Sequence, residues 1–141
     1  MEDNIIPDSQ ITATDYAFSS WRPSYARLHH NTAWSSHRPD VPQHIQIDLN
    51  QQQYVTGVVT QGKDDAWVEN YRVEYTSIGG NWKFVSDTTG GPPKVFTGNT
   101  DIDTPVTNMF PAPISVSKIR IHPGAVYRWI HMRIEILGCD V

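Results

Sequence analysis

The stretch "WIHMRIEIL", residues 129–137, decides the fold. Ile130, Met132, Ile134 and Ile136 recur every second residue, with His131, Arg133 and Glu135 between them. Side chains with a period of two point to opposite faces of a β-strand, so one face is apolar and the other polar. Upstream, "SKIRIH" (117–122) puts Ile119 and Ile121 on one face, and "HIQIDL" (44–49) does the same with Ile45, Ile47 and Leu49. "QYVTGVVTQG" (53–62) is a β-branched run around Gly57, the pattern of a more fully buried strand. In "YRVEY" (71–75), Tyr71, Val73 and Tyr75 alternate with Arg72 and Glu74.

The punctuation between these runs suits strands. Ten prolines and nine glycines are spread along the chain. "SIGGNW" (77–82) offers Gly79-Gly80 as a two-residue hairpin turn between residues 73–75 and 82–85. "DTTGGPPK" (87–94) cannot continue a strand, because Pro92 and Pro93 donate no hydrogen bond. About seven or eight such runs, with no amphipathic helix, predict an all-β sandwich or barrel. No internal repeat or low-complexity segment divides it, so residues 1–141 read as one domain.

Composition narrows the function. Of 141 residues, 38% are hydrophobic and only 18% charged, which fits a chain with a packed core. A net charge of -4 argues against a general nucleic-acid binder, which would carry a basic face. No apolar run approaches the roughly 20 residues that span a bilayer, and neither a signal-peptide pattern nor an Asn-x-Ser/Thr sequon is present. There is no Gly-x-Ser-x-Gly, no His-Glu-x-x-His, no glycine-rich phosphate loop and no paired zinc ligands, so the reading is non-enzymatic. Adjacent His29 and His30 would point to opposite faces of a strand, so they do not chelate one metal. The single cysteine, Cys139, reads either as an inert thiol or as half of a disulfide whose partner lies elsewhere.

Six segments in order carry a resemblance: "IPDSQITATD" (6–15), "ARLHHNTAW" (26–34), "HIQIDL", "VTGVVTQG" (55–62), "VFTGNTD" (95–101) and "IHMRIEILGC" (130–139). They resemble the discoidin family, also called coagulation factor 5/8 type C domains. The resemblance implies an eight-stranded, jelly-roll-like β-sandwich or barrel with ligand-binding loops at one end, appended to secreted or cell-surface proteins. Members bind galactosyl sugars, anionic phospholipids, collagen or C-terminal arginine, and none is an enzyme. It also implies that Cys139 is the C-terminal half of the family's terminal disulfide, with its partner upstream of Met1, and hence an extracellular location and other domains in the parent chain.

The resemblance puts the binding end at residues 15–21, 27–40 and 63–69. These segments carry aromatics outside any alternation: Tyr16, Phe18, Trp34 and Trp67. Large rings at the end of a rigid sandwich offer area at little rotamer cost. Trp67 stands beside Asp64 and Asp65, whose carboxylates suit sugar hydroxyls, could hold calcium, and would be repelled by an anionic membrane. The expected ligand site is therefore Tyr16, Phe18, Trp34, Asp64, Asp65 and Trp67, with a cell-surface or matrix glycan as partner. Anionic phospholipid such as phosphatidylserine, or a protein ligand, is the alternative; no cofactor and no nucleic acid are expected. Burial competes with ligand contact for Trp34, and Trp21 and Trp82 read as core. Asp48 matches the family's arginine-gripping aspartate, but its pocket partners are missing, so it reads as a structural acceptor. Arg27, Arg120 and Arg133 read as structural residues paired with acids.

Overall fold

The computed structural model describes residues 6–139 apart from 39 and 78, and only the backbone of Cys139. Ten strands form: β1 (Ile11–Ala13), β2 (Trp34–Ser36), β3 (Ile45–Gln61), β4 (Trp67–Val68), β5 (Asn70–Thr76), β6 (Lys83–Phe84), β7 (Phe96–Thr97), β8 (Val106–Pro123), β9 (Val126–Tyr127) and β10 (Ile130–Cys139). Three single turns of 3-10 helix, at Asp8–Gln10, Ser19–Trp21 and Pro23–Tyr25, are the only helices among the described residues. None is long and apolar enough to cross a membrane.

The named strands pair antiparallel, and the main path runs β2-β10-β3-β8-β5-β6, with β1 on β3 and β7 on β5. Two long strands fold this sheet over into a sandwich. "HIQIDL" and "QYVTGVVTQG" are halves of the single strand β3, whose register against β8 shifts between Asp48 and Gln53 and again between Val55 and Gly57. At the first shift Asn50 takes a φ of 59°, and its N–H donates to the Asp48 carboxylate at 2.8 Å. Asp48 is thus an acceptor at the bend. The first half of β3 pairs with β1 and the second with β10, so each half serves a different layer.

The core lies between the layers: Trp34, Ile45, Ile47, Val55, Val58, Tyr71, Val73, Phe96, Ile119, Ile121, Met132 and Ile134 are all buried. Burial of each such side chain favours folding by about 1.5–3 kcal/mol before chain entropy is set against it. The alternation read in β10 holds for Ile130, Met132 and Ile134. Its polar face is not solvated, because His131 and Arg133 are buried under loops. The β5–β6 hairpin is wider than a Gly79-Gly80 turn allows: the last pair is Tyr75 with Lys83, and the turn closes between Ser77 and Gly80.

Register locates the loop end. Ala13 pairs with Ile45, Gln61 with Arg133, Ser36 with Ile130, and Tyr71 with Pro123. The Thr14 N–H donates to the His44 carbonyl, Trp21 stacks on His131, His131 reaches the Lys63 carbonyl and the Glu69 N–H donates to Ala125, so the segments 14–21, 40–44, 62–66 and 124–129 meet at one end.

Candidate functional site at the loop end

The Asp64–Asp65 tip is a hairpin. The Lys63 N–H donates to the Ala66 carbonyl at 3.1 Å and the Ala66 N–H returns to Lys63 at 3.2 Å, leaving the two aspartates as its two-residue loop. Asp64 sits at φ 57°, a conformation that aspartate tolerates better than most residues. A Cβ on Gly62 would lie 2.6 Å from the Ala66 carbonyl oxygen and 2.7 Å from the Trp67 Cβ, so this fold-back requires glycine. Both carboxylates are exposed, and Asp65 meets the Arg128 guanidinium at 3.4 Å.

β4 leaves this turn and pairs with β9, Trp67 opposite Tyr127. Their rings stack with centroids 4.3 Å apart and planes 9° apart. Trp67 is half-buried and Tyr127 is 48% exposed, so the inner ring carries the outer one. Next in sequence, Arg128 takes a φ of 68° and the Trp129 N–H donates to the Tyr127 carbonyl at 2.9 Å. That is a tight three-residue turn with a non-glycine residue in the left-handed region, the kind of local strain that clusters at recognition sites.

A second aromatic group stands beside it. Trp129 stacks on His37 (4.5 Å, 29°), the edge of Phe18 meets His37 (5.8 Å, 85°), and His37 faces His131 (6.1 Å, 21°), which stacks on Trp21 (4.8 Å, 25°). Phe18 is 60% exposed. The His131 Nδ1 lies 2.8 Å from the Lys63 carbonyl, an acceptor, so Nδ1 carries the proton in the neutral ring. Burial holds His131 below the usual imidazole range, opposed by its bond to Lys63 and by Asp65.

The loops are tied from below by Arg133. Its guanidinium donates to the carbonyls of Gly62 (2.9 Å), His30 (3.0 Å) and Ile102 (2.9 Å), and Asp103 Oδ1 lies at 3.3 Å. Gln61 adds a bond from Nε2 to the Asp103 carbonyl, and Asn99 donates to Thr60 and Thr104. Asp101 accepts from the Thr104 hydroxyl and N–H, bonds that lower its carboxyl pKa.

The expected site residues do not all converge. Trp67, Asp64 and Asp65 stand together as read, and Phe18 joins the neighbouring aromatic group. Trp34 has to be withdrawn as a ligand contact: it has no exposed surface, and its indole N–H donates to the Asp15 carbonyl at 2.8 Å, so it pins the 14–21 loop from inside. Tyr16 is exposed but faces a groove with Asp8, Thr12, Arg22 and Pro23. Trp21 and Trp82, expected in the core, are half-buried; Trp82 lies under the Arg120 guanidinium, 3.7 Å from its ring centroid. Arg27 is structural as read, bound to Asp8 at 2.6 Å, and Arg120 lies 3.6 Å from Glu74. No three His, Cys, Asp or Glu side chains gather in a group that could hold a metal among the described residues. The side chain of Cys139 lies outside the described residues; its backbone pairs with Tyr54.

Tyr127, Arg128, Trp129, His37 and His131 were missed from sequence. The available signal was "GAVYRW" (124–129), two aromatics flanking an arginine after Pro123-Gly124 and outside any alternation.

Residues 10–136 match the family model for the F5/8 type C domain. Lactadherin of Bos taurus is 38% identical over 99% of this chain, which spans 36% of that protein. Discoidin II of Dictyostelium discoideum superposes with a TM-score of 0.81 at 22% identity, over 93% of this chain and 55% of that chain. A Clostridium perfringens module solved with GalNAc-β-1,3-galactose gives 0.69 at 15% identity, over 94% of this chain and 99% of its own. The two structural likenesses speak for the β-sandwich, and the profile and lactadherin for ancestry: the chain belongs to the F5/8 type C domain family.

Proposed function

We propose that this chain is a non-enzymatic recognition module that binds glycan through its loop end. The carrying observation is Tyr127, half exposed, backed by Trp67 in a parallel stack and flanked by the Asp65–Arg128 pair. A pyranose ring presents an apolar face to such a platform, while carboxylate and guanidinium fix hydroxyls by charge-assisted hydrogen bonds. The disaccharide held by the Clostridium module supports the reading at the level of the scaffold. That the chain spans about a third of bovine lactadherin supports a place within a larger protein, and the family supports an extracellular one.

Anionic phospholipid is the second reading, favoured by the exposure of Phe18 and Tyr127 at one end, where rings could enter a bilayer. The exposed carboxylates of Asp64 and Asp65 oppose it, since they face the same surface. A glycan array run beside sedimentation with phosphatidylserine vesicles, on wild type and Tyr127→Ala, decides between the two. Array binding lost in the variant supports the proposal. Salt-sensitive vesicle binding with a blank array overturns it.

A further inference from the structure

His131 is a buried titratable group inside the loop end, and its position does more than pack. Its Nδ1 proton is committed to the Lys63 carbonyl, and its Nε2 is buried with no hydrogen-bond partner in the protein. The ring stacks on Trp21 and also faces His37, which in turn carries Trp129 and Phe18. The two exposed ends of the binding surface are thus connected to one imidazole: the aspartate hairpin through Lys63, and the aromatic group through His37.

We propose that His131 is a proton-operated positioning residue: neutral, it holds the Trp21–His131–His37–Trp129 column together, and its protonation at mildly acidic pH releases His37, Trp129 and Phe18. The physical reason is local. A second proton on the ring goes to Nε2 and turns an acceptor into a buried N–H that has no acceptor in reach. The charge must also be held in a site that excludes water. The groups facing it from the packed elements are His37 from the segment after β2, and Asp65 and Asp64 from the hairpin. The aspartates attract an imidazolium but are exposed and screened, and Asp65 is already engaged with Arg128. His37 is a like-charged neighbour that opposes a charge on His131 within the column. Trp21 offers its face to the cation, but that attraction neither supplies an acceptor for Nε2–H nor cancels the repulsion from His37.

The reading rests on the proposed binding surface for its consequence, not for its test. Imidazole and indole NMR signals are followed from pH 8 to pH 4.5 in the protein without any ligand. His131 is expected as the Nδ1–H tautomer at neutral pH, titrating below an ordinary histidine, with Trp129 indole and Phe18 ring signals shifting at the same midpoint. His131→Asn keeps a donor for Lys63 but cannot titrate, and should lose that shared midpoint. His37→Gln should leave His131 titrating while Trp129 no longer follows it. Trp129 and Phe18 signals indifferent to His131 titration, or a response that persists in His131→Asn, would overturn the proposal. A sugar-binding result of either sign leaves this test intact.

Discussion

Trp67 and Tyr127 lie opposite each other across β4 and β9, their rings 4.3 Å apart and 9° from parallel, one half-buried and the other exposed. The stack assigns different work to each ring. The inner one is half-buried behind its partner, and the outer one is left to meet whatever arrives.

Truncating them should separate stability from binding. Tyr127→Ala removes exposed surface, and is expected to cost under about 1 kcal/mol of folding but about 2 kcal/mol or more of binding. Trp67→Ala loses the same stack together with a half-buried indole, so both quantities fall. Urea unfolding and retention on a galactosyl resin read the two separately. Equal unfolding losses for both variants would return Tyr127 to the core.

Arg133 is expected to be the costliest charged residue to remove. Its guanidinium satisfies the carbonyls of Gly62, His30 and Ile102 from three different segments. Arg133→Met leaves those acceptors buried or poorly hydrated, and hydrogen bonds to charge are worth about 1.5–3 kcal/mol each, so a loss above about 3 kcal/mol is expected. Arg133→Lys should recover little, because a single ammonium cannot span the fork. Hydrogen exchange should speed up at residues 62–66 and 102–104 in both variants. Unchanged exchange there would mean the loops hold themselves.

Strands were legible where apolar and polar side chains alternate, as in Ile45, Ile47 and Leu49 or Ile130, Met132 and Ile134. The bend that folds β3 into both layers was not, because its device is a backbone conformation at Asn50 capped by Asp48, and neither residue type signals it uniquely. Trp34 and Trp67 looked alike as tryptophans in loops. What distinguishes them is a hydrogen bond to a carbonyl nineteen positions earlier, and a strand partner sixty positions later, and neither has a local trace. Tyr127 and Trp129 were overlooked because the strand there, Val126–Tyr127, is only two residues long and shows no alternation.

Stability should decline in mild acid. Burial holds both His131 and His44 below the usual imidazole range, with Arg120 and His122 adding to the effect at His44. In the unfolded chain both titrate near about 6.5. The unfolded state therefore binds protons first: stability is full above that pH and falls as pH drops toward the folded-state values. At the other extreme, burial raises the Tyr71 phenol to about 12. Folding stability should thus also fall as pH rises from about 10 through that value. Urea midpoints measured from pH 4.5 to pH 11 test both arms; His131→Asn should flatten the acid arm, and a midpoint that rises between pH 6.5 and pH 5 would refute the assignment.

The aspartate hairpin gives the sharpest separation of ligand classes. Asp64 and Asp65 are exposed at the tip of a two-residue turn, and the only ion pair found for them among the described residues is Asp65 with Arg128, itself half exposed. Exposed pairs contribute about 0–1 kcal/mol, and lysine tolerates the left-handed backbone at Asp64 less well than aspartate, so Asp64→Lys with Asp65→Lys should lower stability by about 1–2 kcal/mol and leave the domain folded. Its larger effect falls on binding. Against a sugar, two acceptors for hydroxyls disappear and Arg128 gains like-charged neighbours, so affinity should fall by about 1–3 kcal/mol for each bond lost. Against phosphatidylserine vesicles the same change adds basic charge at the surface, worth about 1 kcal/mol per lysine, and binding should rise. Galactosyl-resin retention and vesicle sedimentation at two salt concentrations therefore move in opposite directions for the same protein. A variant that gains vesicle binding from an already measurable wild-type level, with resin retention unchanged, would reassign the loop end from sugar to membrane. A variant that loses resin retention while its fold is intact would place the two carboxylates at the sugar, beside the ring of Tyr127 that Trp67 supports.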